Sequence, residues 1–184
     1  GGGRHLSEIG ENLVLWNRTA AKAEGITGST ILKTPRAVAE ASDLIISVLA
    51  NDDALYSAYH GIAGILEADL TGKTIIELCT TSPETVINLE VAVEACGGLF
   101  LECPVSGNVV PARSGQLMGL AGGKKTAFDS AKPLLTKLTR RLEYLGPIGS
   151  GAAMKLAVNL PLMVYWSALG EAVGLAMAQG VDPS

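Results

Sequence analysis

Lys155 and Asn159 lie in "GSGAAMKLAVN" (149–159), where a lone cation opens the least polar part of the chain. Their spacing of four places both side chains on one face of a helix, one above the other. Lys155 is expected in the first turn of that helix. There the positive end of the dipole and the apolar surroundings both disfavour an ammonium and lower its pKa. An amine tuned in this way exchanges a proton with a hydroxyl near neutral pH, and Asn159 would hold the same hydroxyl or orient the amine. The competing expectation is a lysine whose stem packs while its head reaches water.

Two further stretches have residue types suited to binding. In "CPVSGNVVPARSGQL" (103–117), the small residues Ser106 and Gly107 let backbone N–H groups approach a ligand, which makes a corner for a carboxylate. An ordinary βα loop is the alternative. "WNRT" (16–19) ends an apolar run, the place where a dinucleotide fold meets the adenosine ribose. A carboxylate there would bind the 2′-hydroxyl of NAD. Asn17, Arg18 and Thr19 instead offer a guanidinium and two neutral hydrogen-bonding side chains, which suit a 2′-phosphate and so NADP(H). A solvated turn is the alternative.

The elements that must position these groups alternate in kind. "LVLW" (13–16), "LIISVL" (44–49), "TIIEL" (74–78), "LFLE" (99–102), "LMGLAG" (117–122) and "RRLEYLG" (140–146) read as strands. Helices are expected near 51–59, 62–69 and 125–138. Two more start at Thr34 with Pro35 behind it and at Ser82 with Pro83 behind it, the second closing at Gly97. Strands alternating with helices predict an α/β fold with parallel βαβ units and a doubly wound sheet. From Gly151 to Gly180 the chain is apolar on nearly all sides. It reads as one long helix, kinked at Pro161 and buried between layers or subunits. The boundary falls near residue 150, with 1–150 as one domain and 151–184 as the start of another.

Bulk composition narrows the partners. Of 184 residues 48% are hydrophobic and 17% charged, with a net charge of −4, so there is no basic footprint for nucleic acid. Cys79, Cys96 and Cys103 are odd in number and form no CxxC pair, which predicts reduced thiols and a cytoplasmic setting. His5 and His60 stand far apart, so no metal site is expected. The longest apolar stretch, Leu156 to Gly170, contains Asn159, Pro161 and Ser167 and is shorter than the roughly 18 residues of a spanning helix. A core or interface helix is therefore expected, with no membrane partner and no signal peptide.

Taken together, "VLWNRTAAKA", "DLIISVLANDDAL", "ELCTTSPET", "FLECPVSG", "GQLMGLAGG" and "GSGAAMKLAVN" resemble, in order and spacing, the β-hydroxyacid dehydrogenase family. That resemblance runs through almost the whole chain. It implies a Rossmann domain (1–150), with its mostly parallel doubly wound sheet, followed by a long helix that starts an all-helical domain (151–184). It also implies hydride transfer between a nicotinamide, NADP(H) or alternatively NAD(H), and a small 3-hydroxy acid or semialdehyde, in a homodimer or homotetramer. By the same resemblance Lys155 is the catalytic lysine and Asn159 its helper, Ser106 and Gly107 grip the substrate carboxylate, and Thr80 lies beside nicotinamide and substrate. Leu49 and Ala50 line the cofactor, and Asn17, Arg18 and Thr19 form the NADP-preferring ribose site.

Pro111, where hydroxyisobutyrate enzymes commonly have glycine, looks more like the family's glyoxylate and succinic semialdehyde reductases. Imine reductases, on the same scaffold, usually lack the lysine, and a noncatalytic scaffold is the reading from another class. The family opens with a strand and a G-x-G-x-x-G loop, whereas Gly1 to Gly3 are expected inside the first helix, with Gly10 before the second strand. The expectation is therefore part of a longer polypeptide, with two open strand edges in the sheet.

Overall fold

The computed structural model describes residues 2–182. The N-terminal helix α1 (Gly2–Glu8) holds Gly2 and Gly3, as expected, while Gly1 lies outside the described residues. Next come β1 (Leu13–Leu15), β2 (Ser29–Ile31), α2 (Pro35–Glu40), β3 (Leu44–Ser47), α3 (Asp52–His60), β4 (Thr74–Glu77), α4 (Pro83–Ala95) and β5 (Leu99–Glu102). The remainder is β6 (Val105–Ser106), α5 (Val109–Arg113), β7 (Leu117–Gly123), α6 (Lys125–Leu138), β8 (Thr139–Tyr144) and α7 (Ser150–Ala178).

The helix starts read from sequence form for the expected reasons. Thr34 Oγ1 accepts from the Ala37 amide at 3.1 Å and Ser82 Oγ from the Thr85 amide at 3.1 Å, each followed by proline at the first helical position. The segment 62–69 departs from expectation. Only Ile65–Glu67 forms a 3₁₀ turn, because Ala63 adopts a left-handed φ of 58° that ends any helical run. β2 and β6, at three and two residues, are too short for a readable period.

β3, β4 and β5 pair in parallel, in register from Leu44↔Thr74 and Thr74↔Leu99. β7 then runs antiparallel to both β5 and β6 and parallel to β8, so the sheet is mixed beyond β5. Among the described residues β1 pairs only with β2, and β3 only with β4, so β1 and β3 share no ladder there and each leaves an edge open.

Alternation along the buried strands sorts side chains onto two faces. Ile75 and Phe100 join Leu55, Tyr59, Leu89 and Val93 in one core cluster under α3 and α4. Ile76 and Leu101 join Leu6, Phe128, Ala131 and Leu135 in the other, under α1 and α6. Leu13 of β1 and Leu44 of β3 pack against this second cluster.

α7 runs 29 residues and continues through Pro161. Burial within this chain is confined to the start of α7, so the layers of this chain do not cover the rest of the helix. Gly151, Ala152 and Lys155 are buried, but beyond them Leu160, Leu162, Met163, Val164, Tyr165 and Trp166 are exposed in this chain. By length and composition α7 is apolar enough to cross a membrane, with a mean hydropathy of 1.3, because a full 18-residue window tolerates the charges that cut short the stretch counted in the sequence.

Candidate active site

The first turn of α7 lies against the sheet, and one turn later Lys155 points into the same contact. Its side chain is 8% exposed, and Nζ donates to Ser106 Oγ at 2.8 Å. Lys155 thus occupies the second turn rather than the first, and burial is what lowers its pKa from the ordinary lysine value. The amides at the helix start have another partner. Glu102, at the end of β5 and fully buried, accepts from the Gly151 amide at 2.9 Å and the Ala152 amide at 2.8 Å.

Ser106 is half-buried in β6, opposite Met118 of β7. Gly107 follows at φ 132°, and a Cβ there would come within 2.8 Å of Leu117 and 3.0 Å of Pro111. Only glycine can make this turn, which leaves Gly107 exposed beside the lysine–serine pair. Asn159 lies one turn beyond Lys155 on α7, half-buried, with an amide that meets no protein group among the described residues. The structure therefore joins Lys155 and Ser106 directly, with Gly107 and Asn159 one step away on either side.

The other predicted residues sit where parallel strands end. Asn17, Arg18 and Thr19 are exposed just past β1, and Asn17 Oδ1 accepts from the Thr19 amide at 2.9 Å, holding the turn. Arg18 forms no ion pair among the described residues. Leu49 and Ala50 follow β3, and Thr80 follows β4 and is exposed. Trp16, Leu49, Cys79 and Ala152 all belong to one core cluster, which reaches from the ends of β1, β3 and β4 to the start of α7. Asn17–Thr19 make their hydrogen bond within their own turn and do not reach Lys155.

Sequence reasoning missed three supports, Glu102 described above, Cys79 and Glu77. Cys79 Sγ accepts from the Leu49 amide at 2.8 Å and donates to the Leu49 carbonyl at 3.1 Å, stitching the two strand ends together. Burial, then the neighbouring Glu77 carboxyl, pushes that thiol far up, so it stays protonated. Glu77 is itself buried and accepts from Ser47 Oγ at 2.5 Å, the Cys79 amide at 2.9 Å and Tyr59 Oη at 3.2 Å. Burial raises its pKa against the pull of those donors. The available signal was a carboxylate inside each apolar run, "TIIEL" and "LFLE".

One polar atom is left over. Thr81 Oγ1 is buried without a partner among the described residues, one position past the exposed Thr80. An orphaned hydroxyl beside exposed donors at strand carboxyl ends fits a polar ligand laid across those ends, as a dinucleotide lies in an open α/β sheet. Two shallow clefts, of about 430 and 490 Å³, lie elsewhere, the second between α3 and α4 around Asp52, Tyr56 and Asn88.

Residues 3–146 match the family model described as the NAD binding domain of 6-phosphogluconate dehydrogenase. Glyoxylate/succinic semialdehyde reductase 1 of Arabidopsis thaliana is 34% identical over 180 residues, covering 97% of this chain and 62% of that protein. The mitochondrial 3-hydroxyisobutyrate dehydrogenase of Homo sapiens is 32% identical over 182 residues, covering 98% of this chain and 54% of that protein. Among solved structures, Psf3 in complex with NADP+ and 2-OPP superposes with a TM-score of 0.88 at 26% identity, covering 98% of this chain and 64% of that one. The chain thus spans between half and two thirds of the length of these relatives.

Proposed function

Because the chain belongs to the family of the NAD binding domain of 6-phosphogluconate dehydrogenase, we propose that the whole protein is an NADP(H)-dependent oxidoreductase acting on a small 3-hydroxy acid or its semialdehyde. The observation that carries this reading is the buried Lys155 amine held 2.8 Å from Ser106 Oγ. A bound nicotinamide would supply or accept the hydride. The chain's own residues supply the rest. In the reductive direction Lys155 gives a proton from Nζ to the oxygen of the carbonyl as it becomes a hydroxyl, and in the oxidative direction it takes that proton back. Ser106 and the exposed Gly107 backbone would hold the substrate carboxylate. Asn159, with a free amide, would fix the reacting oxygen, and Thr80 would lie beside both ligands.

Arg18, flanked by Asn17 and Thr19, supports NADP(H) over NAD(H), since an unpaired guanidinium suits a 2′-phosphate. Leu49 and Ala50 would line the cofactor. The plant relative's name and Pro111, packed against Gly107, favour a semialdehyde or glyoxylate over hydroxyisobutyrate as substrate. The exposed apolar surface of α7 supports a homodimer or homotetramer.

A panel of 3-hydroxyisobutyrate, succinic semialdehyde, glyoxylate and a cyclic imine, run with both nicotinamides, tests the reading. Turnover of a hydroxy acid or aldehyde with NADP(H) is expected, and turnover of the imine alone would overturn it. Lys155→Ala should cut kcat by at least about 100-fold while sparing NADPH affinity. Near-normal turnover in that variant would remove Lys155 from the chemistry.

A further inference from the structure

α7 begins without a cap of its own. Its N-cap is Gly149, in the left-handed region at φ 89°, with no side chain to accept from the first amides. The group that meets them comes from a strand about fifty residues away. Glu102 places Oε1 on the Gly151 amide and Oε2 on the Ala152 amide, a two-pronged grip on the helix start. The surroundings have room for this grip and little else. A Cβ on Gly122 would lie 2.4 Å from Glu102 Oε1, and a Cβ on Gly151 would lie 2.3 Å from the Leu120 carbonyl. β7 and the first turn of α7 therefore approach to backbone contact, with the carboxylate locked between them.

The same strand segment also carries the lysine's partner. Glu102 ends β5, and four residues later Ser106 in β6 accepts from Lys155 Nζ. Lys155 stands three residues past Ala152, so Glu102 and Ser106 hold one turn of α7 at two points. We propose that Glu102 is a positioning residue. By clamping the first turn of α7 to β5, it sets the depth and direction at which the Lys155 amine meets Ser106 and the substrate oxygen. The inference rests on the oxidoreductase reading above for its kinetic consequence, but the geometry it invokes can be read without turnover.

The test compares the full chain with its Glu102→Gln and Glu102→Asp variants. A neutral amide can offer one acceptor and turns an NH₂ toward the second helix amide, so the grip halves and Lys155 loosens. The Lys155 titration is read by NMR on ¹³C-methylated lysines, with Lys155→Arg assigning its signal. In Glu102→Gln it should move up toward the value of a solvated lysine, and in Glu102→Asp, which keeps the charge and both acceptors, it should move less. With substrate and NADPH, kcat should fall about 100-fold in Glu102→Gln, its pH profile following the shifted lysine, while the NADPH dissociation constant stays within twofold. Should Glu102→Gln fail to fold by circular dichroism, Glu102→Asp is read alone against the wild type.

An unmoved Lys155 titration in a folded variant overturns the proposal. So does loss of fold in both variants, since the carboxylate would then be holding the sheet and not the lysine. If the wild type turns over nothing in the substrate panel, the oxidoreductase reading fails, and the lysine titration still decides the role of Glu102.

Discussion

Unfolding returns Lys155 to water and to its ordinary pKa of 10.5, whereas burial lowers it in the folded chain. Across the window between the lowered value and 10.5 the unfolded state binds more protons, so stability rises with pH there. Below that window the buried charge is a standing cost. Lys155→Met removes it, so the variant's advantage in urea midpoint should be greatest at neutral pH and shrink as pH climbs through the window. An advantage that stays constant with pH would mean that the amine is not the source. With Lys155 as the proposed proton donor, reductive turnover should decline as pH rises past the lowered pKa. Arg18 makes a separate prediction at this scale. Replacing it with Ser should weaken NADPH binding by about tenfold or more, the worth of a charged hydrogen bond, while leaving NADH affinity nearly unchanged. Isothermal titration with both nucleotides measures the ratio.

Among the elements, β7 and the start of α7 make the tightest contact at the site. A methyl group at Gly122 would fall 2.4 Å from Glu102 and 2.9 Å from the Gly151 amide, so Gly122→Ala should destabilise by about 1–3 kcal/mol or more, read as a lowered denaturant midpoint. Ser82→Ala, which only strips the cap from α4, should cost about 1 kcal/mol by the same measurement. Contrasts of this kind explain what was legible in the sequence. The proline-primed starts at Thr34 and Ser82, the apolar strands and the 155/159 spacing are local signals, and they survive folding unchanged. Glu102, Glu77 and Cys79 act through partners that only the fold supplies, so in the sequence they looked like two odd carboxylates and an idle thiol, while the burial of Thr81 is itself a product of the fold. Likewise "GIAGILEADL" is apolar enough for a helix, but Ala63 at φ 58° and the close backbone at Gly64 limit it to one 3₁₀ turn in a segment that still buries Ile65 and Leu70.

At the scale of the molecule, the apolar content of α7, expected to be buried between layers or subunits, is not covered within this chain. Leu162 and Trp166, four residues apart on one face, are both exposed. That surface predicts concentration-dependent self-association, which a Leu162→Glu/Trp166→Glu double variant should suppress in sedimentation runs without lowering helix content. The predicted parallel order holds from β3 to β5 and gives way at β7, because β6 and α5 are too brief to carry the chain back across the sheet as a crossover helix would.

Within the described residues, the lack of a ladder between β1 and β3 bears on how this stretch of chain breathes. With no ladder between them among the described residues, the β1–β2 pair can detach without rupturing a hydrogen bond of the larger sheet, and what resists it is side-chain packing at Leu13 and Trp16 with the Glu11–Lys137 ion pair just ahead of β1. Deuterium should therefore enter the amides of 13–15 and 29–31 well before those of β4 and β5, marking the β1–β2 pair as a separately melting unit beside a slow-exchanging parallel core.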